Sequence, residues 1–151
     1  MDFDLFCQEL PKERPILGLD LGKAKIGIAL SDFTWTIATP FAVWQRQSRA
    51  KDLEAICQLI ETEHVGGVVC GLPLALDGTE TKACHANRRL CALVHERHSC
   101  PYYMHDERFS TSASTRSLKE QGMRRKKRDQ IDDKVAASLI LQTVLDRLNY
   151  R

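Results

Sequence analysis

The sequence predicts an α/β fold. We expect a five-stranded mixed sheet, with strands one to three antiparallel, strands four and five parallel, and helices on both faces. Three observations carry this expectation. Two apolar runs, 15–20 and 25–31, flank a tight glycine-containing turn, the pattern of a hairpin. The later extended runs alternate with helical periodicities, the pattern of β-α-β crossovers. The 151-residue chain shows no internal repeat and no interdomain linker, and its length suits one core. We therefore expect a single domain over 15–151. Residues 1–14 read as an N-terminal extension that packs loosely or is disordered.

Strand one is Ile16-Leu17-Gly18-Leu19, closed by Asp20 and followed by Leu21-Gly22. Strand two is Ile26-Gly27-Ile28-Ala29-Leu30 and ends at Ser31-Asp32. A third strand is expected near 34–43, where Thr36, Ile37, Thr39, Phe41 and Val43 favour extended backbone. Leu53, Ile56, Cys57 and Ile60 recur at helical spacing and predict a helix over 50–63. Val65 to Gly71 is a short apolar strand stopped by Leu72-Pro73. A loop, Leu74 to Gly78, leads to a helix near 79–97. Pro101-Tyr102-Tyr103-Met104-His105 is a fifth strand, followed by Asp106-Glu107-Arg108. Ser110 or Thr111 suits the N-cap of a helix ending near Gly122. The final helix is expected over about 131–148.

A hydrophobic fraction of 43% and a charged fraction of 28% are ordinary for a globular chain. The net charge of +2 excludes a polycation, so affinity for nucleic acid must come from local patches. The six cysteines form no CxxC pair, and with no export signal a disulfide framework is not expected. No run approaches the ~20 apolar residues of a membrane span. The expected location is cytoplasmic, with no membrane partner.

Acids fall at three element ends: Asp20 after strand one, Asp106-Glu107 after strand five, and Asp132-Asp133 at the start of the last helix. A carboxylate at the end of a buried strand is costly unless a cation or donor compensates it. Oxygen-only ligands select hard cations, so Mg²⁺ or Mn²⁺ is implied rather than zinc. Carboxylates converging from separate elements are how phosphoryl-transfer sites hold their metals. The competing explanation is structural. An acid at a strand end is often a solvated turn residue, and Asp132 and Asp133 complement a helix dipole without any function.

The segment Gly18-Leu19-Asp20-Leu21-Gly22-Lys23-Ala24-Lys25-Ile26-Gly27-Ile28-Ala29-Leu30-Ser31-Asp32 resembles the opening motif of the YqgF/RuvX family. Three further blocks match in order. They are Gly71-Leu72-Pro73-Leu74 with Asp77-Gly78-Thr79-Glu80, then Asp106-Glu107-Arg108-Phe109-Ser110-Thr111, then Asp133-Lys134-Val135-Ala136-Ala137 with Ile140-Leu141. Four ordered blocks over roughly 15–148 are a specific signal. The resemblance implies an RNase H-like fold. Family members are described as Holliday junction resolvases and as nucleases that process the 5′ end of pre-16S rRNA. By that resemblance Asp20, Glu107 and Asp133 are the catalytic and metal-binding acids. Asp132 competes for the third place; periodicity does not separate the two, and the family's spacing to Ile140-Leu141 favours Asp133. The chain departs from the family in carrying Ala75 where many members have Asn, and in its extra N-terminal residues.

The run Arg124-Arg125-Lys126-Lys127-Arg128 leads towards the helix of Asp133, where it suits a clamp on backbone phosphates. A solvated segment is the competing explanation, of about equal weight before the position of the run is considered. Lys23, Lys25 and Arg108 are further phosphate candidates, as are the hydroxyls of Ser110 and Thr111, whose default role is capping. His95, His98 and Cys100 lack a fourth zinc ligand and read as surface and packing residues. Trp35 and Trp44 read as core.

The expected function is a Mg²⁺- or Mn²⁺-dependent nuclease acting on structured nucleic acid, pre-rRNA ahead of branched DNA, with ribosomal particles as a further partner. A Holliday junction resolvase-like DNA endonuclease is the alternative, and it would work as a symmetric homodimer rather than a monomer. A non-catalytic ribosome-biogenesis protein is a third reading. A small phosphotransferase with an actin-like phosphate hairpin is disfavoured by chain length and by Asp106-Glu107-Arg108.

Overall fold

The computed structural model describes residues 1–109 and 125–150, with side chains at 1–108 and 135–150. The elements are α1 (Phe3–Glu9), β1 (Ile16–Leu21), β2 (Lys25–Ser31), β3 (Ala38–Gln45), α2 (Arg49–Glu63), β4 (Gly67–Leu72), α3 (Lys82–His98), β5 (Tyr102–Asp106), a 3-10 turn (Glu107–Phe109) and α4 (Arg125–Asn149).

The strands form one sheet in the order β3-β2-β1-β4-β5. β2 runs antiparallel to β1 and to β3, whereas β4 is parallel to both β1 and β5. This is the mixed sheet expected from the hairpin followed by crossovers. Asp20 pairs with Gly27, Leu19 with Cys70, Gly71 with His105 and Leu72 with Asp106.

Side chains alternate across the sheet. Leu17, Leu19, Ile26, Ile28, Val68 and Cys70 face α2 and α3, and pack with Leu53, Ile56, Ile60, Leu90 and Val94. Ile16, Ala29 and Val69 face the other way, against Ala137, Ile140, Leu141, Val144 and Leu145 of α4. Helices therefore cover both faces. All six cysteines are free, and all but Cys7 are buried. No helix among the described residues is long and apolar enough to cross a membrane.

Four boundaries differ from the sequence expectation. Residues 1–14 do not pack loosely: Asp2 caps α1 by accepting from Leu5 N–H at 2.8 Å, and Phe6 is fully buried. Phe3 sits edge-on to Tyr103 with 5.3 Å between ring centres, and the Arg147 guanidinium lies 3.8 Å from the Phe3 ring centre. β3 begins at Ala38 rather than near 34, because the Asp32 carboxylate gathers the N–H groups of Thr36 and Ile37, at 2.7 and 3.0 Å, into a turn. α3 begins at Lys82, where the Thr81 hydroxyl caps it by accepting from Cys84 N–H. α4 begins at Arg125 and so takes most of the basic run into the helix, since Arg and Lys are good helix formers. The helix expected from Ser110 or Thr111 to Gly122 lies outside the described residues.

Candidate active site

Asp20 stands on the α4 side of β1, two residues beyond Gly18. A Cβ on Gly18 would come 2.8 Å from Leu141 Cβ and 3.1 Å from the Ala137 carbonyl oxygen, so α4 rests directly on this strand. Asp20 is half-buried. On one side its neighbour is Gly27. On the other, one step beyond the Leu19–Cys70 pair, stands Gly71. Neither neighbour has a side chain of its own, so the space beside Asp20 is left to groups from other elements.

Glu107 arrives from the far edge. The 3-10 turn after β5 folds its carboxylate over Gly71, where an added Cβ would meet Glu107 Oε1 at 2.6 Å and Cδ at 2.7 Å. Ile140 Cδ1 closes the same space, 3.0 Å from that position. Glu107 thus covers the glycine that follows Cys70, the β4 partner of the residue before Asp20. Both acids are felt behind the strand at the buried Cys70 thiol. Its pKa is pushed well above the usual range, chiefly by a hydrogen bond with Cys91 and by burial, then by the negative charges of Glu107 and Asp20.

Asp133 lies one helical turn before Ala137, the residue whose carbonyl touches Gly18. The side chains of Asp132 and Asp133 lie outside the described residues. Among the described residues no group of three His, Cys, Asp or Glu side chains gathers to hold a metal. The two acids present fit a hard divalent cation: both offer oxygen, and the missing Cβ of Gly71 leaves a cradle beneath Glu107.

Asp106 has a different role. Its carboxylate accepts from Arg108 Nε at 3.2 Å and from the other guanidinium nitrogen at 2.9 Å, and also from Arg108 N–H at 2.9 Å. The Arg108 side chain holds Asp106 below the usual carboxylate range. The guanidinium continues to the Leu76 carbonyl at 3.4 Å and lies 3.0 Å from where a Cβ on Gly78 would stand. Arg108, a phosphate candidate in the sequence, therefore also ties β5 to the loop after β4.

Lys23 is exposed in the β1–β2 turn and Lys25 is half-buried at the start of β2. The turn is pinned by Gly22 N–H donating to the Lys25 carbonyl at 2.9 Å, and by Arg46 donating to the Gly22 carbonyl at 2.9 Å. Arg46 in turn pairs with buried Asp52 at 2.9 Å. No motif singled out Arg46. Arg125, Lys126, Lys127 and Arg128 are helical in backbone, and Ser110, Thr111 and Arg124 lie outside the described residues. His105, which pairs with Gly71, was also missed. Its Nε2 is buried without a hydrogen-bond partner among the described residues, and burial lowers its pKa. The expected non-sites are packing residues: His95 Nδ1 lies 2.8 Å from the Cys100 carbonyl, and Trp35 Nε1 donates to the Arg14 carbonyl at 2.7 Å.

The family profile described as "RuvX: Holliday junction resolvase" matches residues 14–147. A protein of Ehrlichia canis (strain Jake), named "Putative pre-16S rRNA nuclease", is 41% identical over 143 residues, covering 95% of this chain and 92% of its own. A Caulobacter vibrioides (strain NA1000 / CB15N) protein of the same name is 40% identical over 150 residues, covering 98% and 96%. Among solved structures, Thermus thermophilus RuvC in complex with a Holliday junction substrate aligns with a TM-score of 0.58. It is 9% identical and covers 89% of this chain and 96% of that one. The yeast mitochondrial Holliday junction resolvase Ydc2 aligns at 0.51, with 10% identity over 98% and 86%. At such identities these structures bear on the fold, which is that of RuvC-like resolvases.

Proposed function

Since the chain belongs to the YqgF/RuvX family, we propose that it is a divalent-metal-dependent nuclease that trims the 5′ end of pre-16S rRNA in the cytoplasm. The observation that supports this reading is the Glu107 carboxylate folded over Gly71, one step along the sheet from the Leu19–Cys70 pair that precedes Asp20. Asp20 and Glu107 are the oxygen ligands for Mg²⁺ or Mn²⁺, and Asp133 is the third acid. The ion, when bound, lowers the pKa of a water and offsets charge on the phosphodiester. On their own the two carboxylates would repel the scissile phosphate, so its approach to Asp20 and Glu107 would depend on the positive charge that they hold. One of these acids would accept a hydrogen bond from the attacking water and orient it. Lys23, Lys25, Arg108, Ser110, Thr111 and the cations at 124–128 hold flanking phosphates, which fixes register without reading sequence.

A second reading, cleavage of four-way DNA junctions, is favoured by the description of the matching family. One side-by-side assay decides. Parent and Asp20→Asn protein are given precursor rRNA and a four-way junction, with and without Mg²⁺ or Mn²⁺. The proposal expects metal-dependent cutting of the rRNA by the parent alone. Cutting of the junction alone supports the second reading. No cutting of either, or equal cutting by the variant, overturns the assignment of a nuclease and leaves a binding protein.

A further inference from the structure

We infer that Leu76 is an apolar wedge that packs against a base of the bound RNA strand beside the site, an inference that rests on the nuclease reading above. Leu76 is 93% exposed, the most exposed large hydrophobic side chain among the described residues. A lone exposed leucine on a loose loop would mean little. This loop is built to hold a shape. Asp77 accepts from Thr79 N–H at 2.9 Å and from its hydroxyl at 2.7 Å. Gly78 N–H donates to the Ala75 carbonyl at 2.8 Å, and Ala75 N–H to the Thr79 carbonyl at 3.0 Å.

The turn closes at Gly78, whose φ of +90° suits glycine. The loop is also indexed to the site. Arg108 donates to the Leu76 carbonyl while gripping Asp106, and Glu107 stands between those two residues in the chain. The Leu76 backbone is therefore tied to Arg108, the residue that follows Glu107 in the chain. The exposed Phe33 and Ile37 do not share this position, because they follow the far end of β2.

The chemistry of the occupant follows. A leucine offers nothing to a phosphate, and neighbouring Asp77 repels one. The part of a nucleotide with apolar surface is its base, and apolar side chains pressed between bases unstack them. A base seated on Leu76 would hold the strand at a set distance from Asp20 and Glu107, and would favour strands whose bases are already unpaired.

The test uses Asp20→Asn protein in Mg²⁺, with short single-stranded RNAs in which one 2-aminopurine is moved along the strand. Binding is expected to change the fluorescence at one position or an adjacent pair. Adding Leu76→Ala is expected to abolish that local change and to weaken binding about threefold to tenfold, while the melting temperature stays that of Asp20→Asn. Adding Leu76→Phe is expected to keep the affinity and the same position. An Ala variant with unchanged profile and affinity overturns the wedge and leaves the nuclease reading intact. An Asp20→Asn protein that binds none of the RNAs overturns the wedge, while the nuclease reading is decided separately by the cleavage assay above.

Discussion

At Gly71 the absence of one Cβ decides where a carboxylate goes. An alanine there would put a carbon 2.6 Å from Glu107 Oε1 and 3.0 Å from Ile140 Cδ1. Of the two, the long Glu107 side chain moves more easily than a packed isoleucine. Gly71→Ala is therefore expected to cut the cleavage rate about 100-fold, as ~1 Å misplacements can, while urea unfolding registers about 1–3 kcal/mol of overpacking. Parental cleavage by this variant would show that Glu107 need not sit there. Asp32 offers a test of a different kind. The Thr34 hydroxyl, with the Ile37 and Thr36 N–H groups, holds its pKa down, from 3.8 to about 2. A depressed carboxylate stabilises the fold above its unfolded value and loses that contribution as pH falls through its folded one. Asp32→Asn should thus flatten the fall in melting temperature between pH 3.8 and about 2, by a small amount because the group is exposed. Asp20 was legible because an acid ends an apolar strand. Glu107 was not separable from Asp106 by composition or spacing; the family motif chose it, and in the structure Asp106 is the acid engaged by Arg108.

Among the elements, α1 and α4 carry the main departures from the sequence reading. α1 has seven residues, too few for apolar periodicity to register, yet Phe6 is wholly buried and packs at 5.9 Å from the Tyr103 ring centre. Phe6→Ala is expected to destabilise by about 3–5 kcal/mol in urea unfolding, and an unchanged midpoint would mean that α1 stands apart from the core. α4 reads as helix from 131 because its apolar stripe starts there. Its first turns are charged, and nothing in an apolar pattern marks their beginning. The seat of α4 on β1 depends on Gly18, which shares the Asp20 face. Gly18→Ala would bring a carbon 2.8 Å from Leu141 Cβ. It should cost about 1–3 kcal/mol and shift the helix that bears Asp133, so cleavage should fall more than stability alone explains. α2 and β4 were read closely, since Leu53, Ile56, Cys57 and Ile60 recur at helical spacing and the apolar strand stops at Leu72-Pro73.

For the whole molecule, the mixed five-stranded sheet and the helices on both faces were legible because hairpin and crossover rules leave few arrangements for this element order. The approach of Glu107 to Gly71 was not legible from spacing, since sequence distance does not report which residues the 3-10 turn after β5 folds over. With a net charge of only +2, binding to RNA must draw on local cations. Replacing Lys126 and Lys127 by Ala should lower the salt dependence of RNA binding, measured by filter binding, by about 0.7 in log–log slope for each phosphate no longer neutralised. An unchanged slope would assign those lysines to the solvent. Anomalous diffraction from crystals soaked in Mn²⁺ asks most directly whether Asp20 and Glu107 share an ion. The expected result is a peak bounded by carboxylate oxygens of both residues over Gly71, lost in Asp20→Asn crystals; a map with no peak there, or a peak that survives the substitution, would contradict it.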